Sequence, residues 1–466
     1  MRRKLSFLLL FLLAAPAASQ QAAREPSAYD RAIAAGYKAL TLCSAMFNGD
    51  GRTQAQVEAL ELTGIYPEYD AIVPTLTARV TSRNGFTARV EVGIDSALPP
   101  RIALWVNNEG CTILPIGSRS EGRGTRWVVD GSGLLAAQDE RRWPTGDAMT
   151  AVSTSAALAA PVGRAFDGAS YGTGRTTGIV ILQHGRMVAE RYAEGFGPHV
   201  AQRTWSVAKS IAGTLIGMAV RDGLLDPQAA ARIPEWQDDP RRAIRLDQLL
   251  RMASGLYNSP AGNRTDATYF GGTSLTQEIA SWPLATAPGA HFRYANNDIL
   301  AAVRSLRAAL NDDDRYHAFP QRRLFAPLGM TRTVAETDWQ GNFILSSQVW
   351  STARDLARLG QFWLQDGVWE GRRLLPEGWM AYMTRPSGPQ PERGPGYGAT
   401  MWLFGPDQGL PAGSYAAQGN RGQYVMVVPS RNLVIVRRGE DGANMRFDIA
   451  RFTADVIAAL PEGERR

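Results

Sequence analysis

Between Ala71 and Leu114 apolar residues recur at every second position (Val80, Val90, Val92 and Ile94, then Ile102, Leu104 and Val106). That period predicts strands. Upstream, Tyr29 to Leu62 reads as a helical arm broken around Asn48-Gly49-Asp50-Gly51. Residues 115–177 are rich in Gly, Ser, Thr and Ala without a period and predict an irregular connection. Thr177 to Tyr192 predicts a hairpin, with Ile179–Leu182 and Met187–Glu190 flanking His184-Gly185-Arg186. From Ser206 to Arg221 the spacing becomes helical, through Ile211, Leu215, Met218 and Ala219, and stops at Gly223. Residues 225–390 read as helices and loops, including Leu246–Ala253, Ile299–Ala309 and Ser351–Leu364. Strand character returns at Ala399–Phe404, Tyr415–Gln418, Tyr424–Val428 and Leu433–Arg437, before a last helix over Arg446–Leu460. A strand pair, a helical middle and three or four further strands predict an α+β fold whose antiparallel sheet is split by a helical insertion.

The first residues break this pattern. Met1-Arg2-Arg3-Lys4 precedes an apolar run from Leu5 to Ala15, interrupted by Ser6, and small residues follow to Ser19. This is the layout of a secretory signal peptide cleaved after Ala17 or Ser19, and the run is short for a bilayer span. The expectation is a periplasmic or secreted protein without stable membrane insertion after cleavage. The chain then divides into a signal at 1–19, an N-terminal extension at 20–165 and a main domain at 166–466. Export puts Cys43 and Cys111 in an oxidising compartment, where they form either one disulfide or two separately buried thiols.

Composition adds limits. The 466 residues are 44% hydrophobic and 20% charged, which suits a globular core. The net charge of +6 includes three charges in the leader, and the remaining arginines are scattered among acids. That argues against a nucleic-acid partner. His184, His199, His291 and His317 lack metal-ligand spacing, and Asp312-Asp313-Asp314 lacks calcium-loop spacing. No metal or cofactor is expected.

Lysine usage is the sharpest chemical clue. The chain carries three lysines against 47 arginines. One of them, Lys209, follows Ser206 by three residues at the start of a predicted helix, so the two share a face. A guanidinium does not deprotonate in a protein, whereas a desolvated lysine can be neutral and take a proton from a serine hydroxyl. The structural alternative is an N-cap serine with a surface lysine. Tyr294-Ala295-Asn296 lies in a loop leading into the next helix. A tyrosine beside a lysine can have its pKa lowered and relay protons, and an Asn amide can orient the amine and a substrate carbonyl. A packed aromatic in an ordinary loop is the plainer reading. Ala417-Gln418-Gly419-Asn420-Arg421-Gly422-Gln423 lies between strands, where a glycine permits close approach of a substrate; a plain turn is the alternative. Gly168-Ala169-Ser170-Tyr171-Gly172 matches a nucleophile elbow, but it lies in a polar connection without the strand and helix that motif requires. Trp282, Trp339, Trp350, Trp363 and Trp402 are expected mainly in the core, with one or two lining an apolar cleft.

In order and spacing, Ser206-x-x-Lys209, Tyr294-Ala-Asn296 and the Gly419 strand resemble the β-lactamase-related serine hydrolases. That group spans class C β-lactamases, penicillin-binding carboxypeptidases, esterases and 6-aminohexanoate-dimer hydrolases. Supporting segments are Leu249–Leu256, Phe325–Met330, Ala353–Arg358 and Gly422-Gln423-Tyr424, and the likeness covers roughly residues 165–460. It looks closest to the amide- and ester-cleaving branch near 6-aminohexanoate-dimer hydrolase. The resemblance implies Ser206 as acyl-forming nucleophile, Lys209 as its base, Tyr294 as second acid/base and Asn296 as a contact to the acyl side. It also implies an oxyanion hole from the backbone N–H groups of Ser206 and Asn420, beside Gly419. Relatives that recognise β-lactams usually carry Lys or His where Ala417 stands here, which argues against efficient β-lactam turnover unless Arg421 or another arginine supplies the charge. The expected activity is hydrolysis of an ester or linear amide, and the competing expectation is an inactive relative that binds cell-wall peptides.

Overall fold

The computed structural model describes residues 25–49, 51–64, 66–83, 87–95, 97–119, 140–148, 152, 154–257 and 265–460. The signal segment lies outside them. The helical arm forms α1 (Ala28–Phe47) and α2 (Gln54–Leu60), each opened by a capping box, from Ser27 and Thr53. The alternating stretch forms an antiparallel meander of β1 (Ala78–Arg83), β2 (Thr87–Val92), β3 (Arg101–Val106) and β4 (Gly110–Ile113). α1 is buried on almost every side from Ala32 to Ala45 because it is held between this meander and the main domain. Gly36 makes that closeness possible, since a Cβ there would collide with the Phe270 carbonyl oxygen. Cys43 on α1 and Cys111 on β4 form a disulfide with their Cα atoms 6.1 Å apart.

The expected irregular connection contains a helix, α3 (Ala156–Arg164), begun by the Ser155 side chain. It is short and carries an internal Pro161; it buries Leu158, Pro161 and Val162 and is held by packing against a C-terminal partner. That partner is the C-terminal helix, Ile449–Ala459. The Gly168–Gly172 stretch is a turn in which Ser170 Oγ donates to Asp167 at 2.5 Å, with no strand leading into it.

The predicted hairpin forms β5 (Thr176–Gln183) and β6 (Arg186–Tyr192), and the following helix is α4 (Val207–Arg221). The helical middle includes α5 (Asn296–Leu310) and α6 (Ala353–Leu364). The late strands are β7 (Gly396–Tyr397), β8 (Trp402–Phe404), β9 (Ser414–Gly419), β10 (Gln423–Val428) and β11 (Leu433–Gly439), and the chain then forms α7 (Ile449–Ala459). They join the hairpin in a seven-stranded antiparallel sheet ordered β7-β8-β9-β10-β11-β5-β6. Alternation decides its two faces. Val180, Leu182, Val425, Val427, Val434 and Val436 belong to the core shared with α4 and α6. Ile179, Ile181, Met426, Ile435 and Ala416 point to a second core under α3 and α7. Both faces are covered, so the strands read as nearly continuous apolar runs. The fold is α+β, an antiparallel sheet flanked by helices.

Candidate active site

Trp205, immediately before α4, has a φ of 50°, in the left-handed region that a bulky residue seldom enters. This turn delivers Ser206 to the mouth of α4. The Arg203 guanidinium lies 3.8 Å from the Trp205 ring centroid and donates to the Ser347 hydroxyl at 2.6 Å. Ser206 occupies the N-cap position of α4, but its side chain makes no capping bond. Its hydroxyl instead meets Lys209 Nζ at 2.9 Å, and Tyr294 lines the same cavity.

Lys209 is fully buried rather than on the surface. Nζ donates to Asn296 Oδ1 at 2.6 Å and to the Ser346 carbonyl at 2.9 Å. Both partners accept only, and Nζ also lies within donating distance of Ser206 Oγ, at 2.9 Å. In a neutral amine that third direction would carry the lone pair and the hydroxyl would donate to it. Burial pushes the Lys209 pKa well below its ordinary value, and the nearby Arg203 charge adds to the effect.

Asn296 begins α5 at its first residue, so the Tyr294-Ala295-Asn296 stretch is the start of the helix itself, with Ala295 in the cap position. Asn296 Nδ2 donates to Thr265 Oγ1 at 3.2 Å, which fixes the amide with its oxygen toward the lysine. Tyr294 packs on Trp402 and Tyr397, with ring centroids 5.3 and 5.9 Å away. Its pKa is raised rather than lowered as proximity to a lysine suggested. Burial dominates, because a phenolate would have to sit in the desolvated pocket.

Gly419 ends β9 against the turn that leads into α4. A Cβ there would collide with the Thr204 carbonyl oxygen and lie 3.1 Å from the Ser206 nitrogen. Glycine is therefore what lets the sheet edge touch the start of α4. Asn420 follows in a turn through Arg421, and β10 begins at Gln423. Ala417 is buried and pairs with Val425. Arg421 is no substitute cation for the cleft, because its buried guanidinium donates to the carbonyls of Leu60 and Thr63 and pairs with Glu440.

These groups surround a cavity of about 380 Å³ lined by Ser206, Tyr294, Asn296, Gly419 and Asn420, with Trp205, Trp402, Tyr269 and Tyr66 as aromatic walls. Every candidate catalytic and substrate-binding residue therefore converges on one place: Lys209 lies behind it and the rest on its walls. Of the tryptophans considered, Trp402 lines the cavity while Trp350 and Trp363 are core. Trp205, Tyr66, Tyr269 and Ser346 were not anticipated. Trp205, next to the motif serine, was the one within reach of local reasoning; the others arrive through tertiary packing. Asp266 is the one charged side chain among the described lining residues. No group of three His, Cys, Asp or Glu side chains able to hold a metal occurs among the described residues.

An antiparallel sheet flanked by helices, with this cleft between sheet edge and helix mouth, defines the β-lactamase/transpeptidase-like class of folds. The Beta-lactamase family model matches residues 156–438, more than half of the chain, and the protein belongs to that hydrolase family. The 6-aminohexanoate-dimer hydrolase of Paenarthrobacter ureafaciens is 28% identical over 224 residues, 44% of this chain and 56% of that protein. The chain thus spans little more than half the length of that relative. A penicillin-binding protein homolog from Caulobacter crescentus aligns with TM-score 0.53 and 17% identity, over 67% of this chain and 99% of the other. A β-lactamase/D-alanine carboxypeptidase from Pseudomonas syringae aligns with TM-score 0.51 and 16% identity, over 66% and 99%. At these identities the structural likeness is one of fold.

Proposed function

We propose that the protein is an exported serine hydrolase that cleaves an ester or linear amide through an acyl-enzyme on Ser206. The observation that carries this reading is the buried Lys209 amine, whose two N–H groups are taken by Asn296 and Ser346 while its third contact is the Ser206 hydroxyl. Ser206 Oγ attacks the substrate carbonyl carbon as its proton passes to Lys209 Nζ. The oxyanion forms against the backbone N–H groups of Ser206 and Asn420. Tyr294, held as a neutral phenol, donates its proton to the leaving alcohol or amine as the C–O or C–N bond breaks and is reprotonated from Lys209. Water then attacks the acyl carbon, gives its proton to the same pair, and the acid leaves as Ser206 regains its hydrogen. The relative from Paenarthrobacter ureafaciens, by name an amide hydrolase, supports the linear-amide branch. Ala417, together with Arg421 turned into the protein interior, supports poor turnover of β-lactams. The Cys43–Cys111 disulfide supports an oxidising compartment, periplasmic or secreted.

A fluorophosphonate probe tests the chemistry. Labelling of the wild type that disappears in Ser206→Ala, together with loss of p-nitrophenyl ester hydrolysis, is the expected result. An unlabelled wild type that binds cell-wall peptides without turnover would support the competing reading of a binding protein. A screen of short esters, linear amide oligomers, D-amino-acid peptides and nitrocefin then assigns the substrate.

A further inference from the structure

The family match begins at residue 156, yet the N-terminal extension reaches the catalytic cleft. Where α2 ends, its last carbonyls have no partner within the helix. The Leu60 carbonyl accepts from Arg421 Nη2 at 2.6 Å, and the Thr63 carbonyl accepts from Arg421 Nη1 at 3.1 Å. The Gly64 carbonyl accepts from the backbone N–H of Ala443 at 2.5 Å. Arg421 is buried, has a left-handed φ of 55°, and directly follows Asn420. Its side chain is shared between the extension and Glu440, at 2.5 Å from Nε. A residue forced into that backbone region persists only where its surroundings hold it there. Two residues beyond Gly64, Tyr66 enters the cavity wall. It is packed edge-on against Tyr37 of α1, with centroids 5.1 Å apart, and against Phe270 at 5.6 Å.

We propose that Leu60, Thr63 and Tyr66 are working parts of the hydrolytic site: the Leu60 and Thr63 carbonyls position the Gly419–Asn420 turn through Arg421, and Tyr66 limits the size of the group the cleft accepts. Arg421 is a positioning residue and acts through the Asn420 backbone. Tyr66 meets the substrate. The inference rests on Ser206 being the nucleophile, and the experiment separates the two.

Full-length Arg421→Ala, Arg421→Lys and Tyr66→Ala are compared by turnover per active site, with sites titrated by the fluorophosphonate. A purely structural role for Arg421 would lower the titratable fraction and leave turnover per titrated site unchanged. A displaced oxyanion donor instead lowers kcat per titrated site on p-nitrophenyl acetate by about tenfold or more with little change in KM. Where Arg421→Ala yields no folded protein, Arg421→Lys, which keeps the charge and loses the two-carbonyl fork, makes the same test. Tyr66→Ala is expected to shift the ratio of kcat/KM between p-nitrophenyl octanoate and p-nitrophenyl acetate about tenfold toward the longer chain. Turnover per titrated site within twofold of wild type in the arginine variants, or an unchanged chain-length ratio in Tyr66→Ala, overturns the proposal. Ser206→Ala is run alongside. If it retains turnover, the nucleophile reading fails, whatever the other variants do.

Discussion

Two lysines lie buried in this protein, and their surroundings differ in kind. Lys38, in the extension, donates to the Leu76 carbonyl at 2.8 Å and pairs with Glu58 at 3.0 Å. Lys209, behind the cleft, has carbonyl oxygens and a hydroxyl for neighbours, with a guanidinium nearby and no carboxylate paired to it among the described residues. Burial disfavours the charged form of any amine, and a carboxylate partner offsets that cost. Removing the partner and adding Arg203 leaves desolvation unopposed. Burial therefore does not by itself make a base; the choice of neighbours does.

The comparison breaks most directly if the two lysines are exchanged in importance. Lys209→Met is expected to lower kcat/KM for p-nitrophenyl acetate by about a thousandfold or more, and Lys38→Met to leave it near wild type. Lys209→Arg should behave like Lys209→Met, because the charge stays and the titratable base is gone. Near wild-type rates for Lys209→Arg would end the base assignment.

A subtler change gives Lys209 the kind of partner Lys38 has. Asn296→Asp places a carboxylate on the amine, and about a hundredfold loss at pH 7 is expected as the ammonium form is stabilised. The pH profile of kcat/KM supplies the sign. With Lys209 as the proposed base, activity is expected to rise through a pKa shifted below the ordinary lysine value, while the raised pKa keeps Tyr294 protonated. In Asn296→Asp the acid limb moves to higher pH. An acid limb already at the ordinary lysine value in the wild type would contradict the description of this pocket.

Smaller effects concern stability. Removing the Lys38 amine takes one donor from each of the Leu76 carbonyl, the Val73 carbonyl and Glu58, a cost of about 1–3 kcal/mol readable by urea titration. Glu58 is partly desolvated, but hydrogen bonds from Gln54 and Lys38 outweigh that and lower its pKa. Its contribution is complete above the ordinary glutamate pKa and fades as pH falls through the lowered value. Lys38→Met should flatten that acid dependence.

Local relationships were the legible ones. Ser206 and Lys209 meet because three residues along a helix restore the same face, and the hairpin and late strands follow from alternation. The helix at Ala156–Arg164 escaped because it is short and interrupted by Pro161, and packing against the last helix stabilises it. The direction of the Tyr294 shift escaped for a related reason: it depends on Trp402 and Tyr397, which lie about a hundred residues further along the chain. Tyr66 carries no motif, and its place in the cleft depends on how the extension docks.

Sequence alone determined the family likeness, which rests on the order of motifs along the chain, and the alternation of the strands and the helical face shared by one hydroxyl and one amine, which depend on covalent neighbours a few residues apart. Tertiary structure decided which lysine lacks a counter-charge, that the phenol of residue 294 keeps its proton, and that an arm outside the family match walls the cleft. Those properties depend on desolvation and on contacts between distant segments, and only the folded chain brings such segments together.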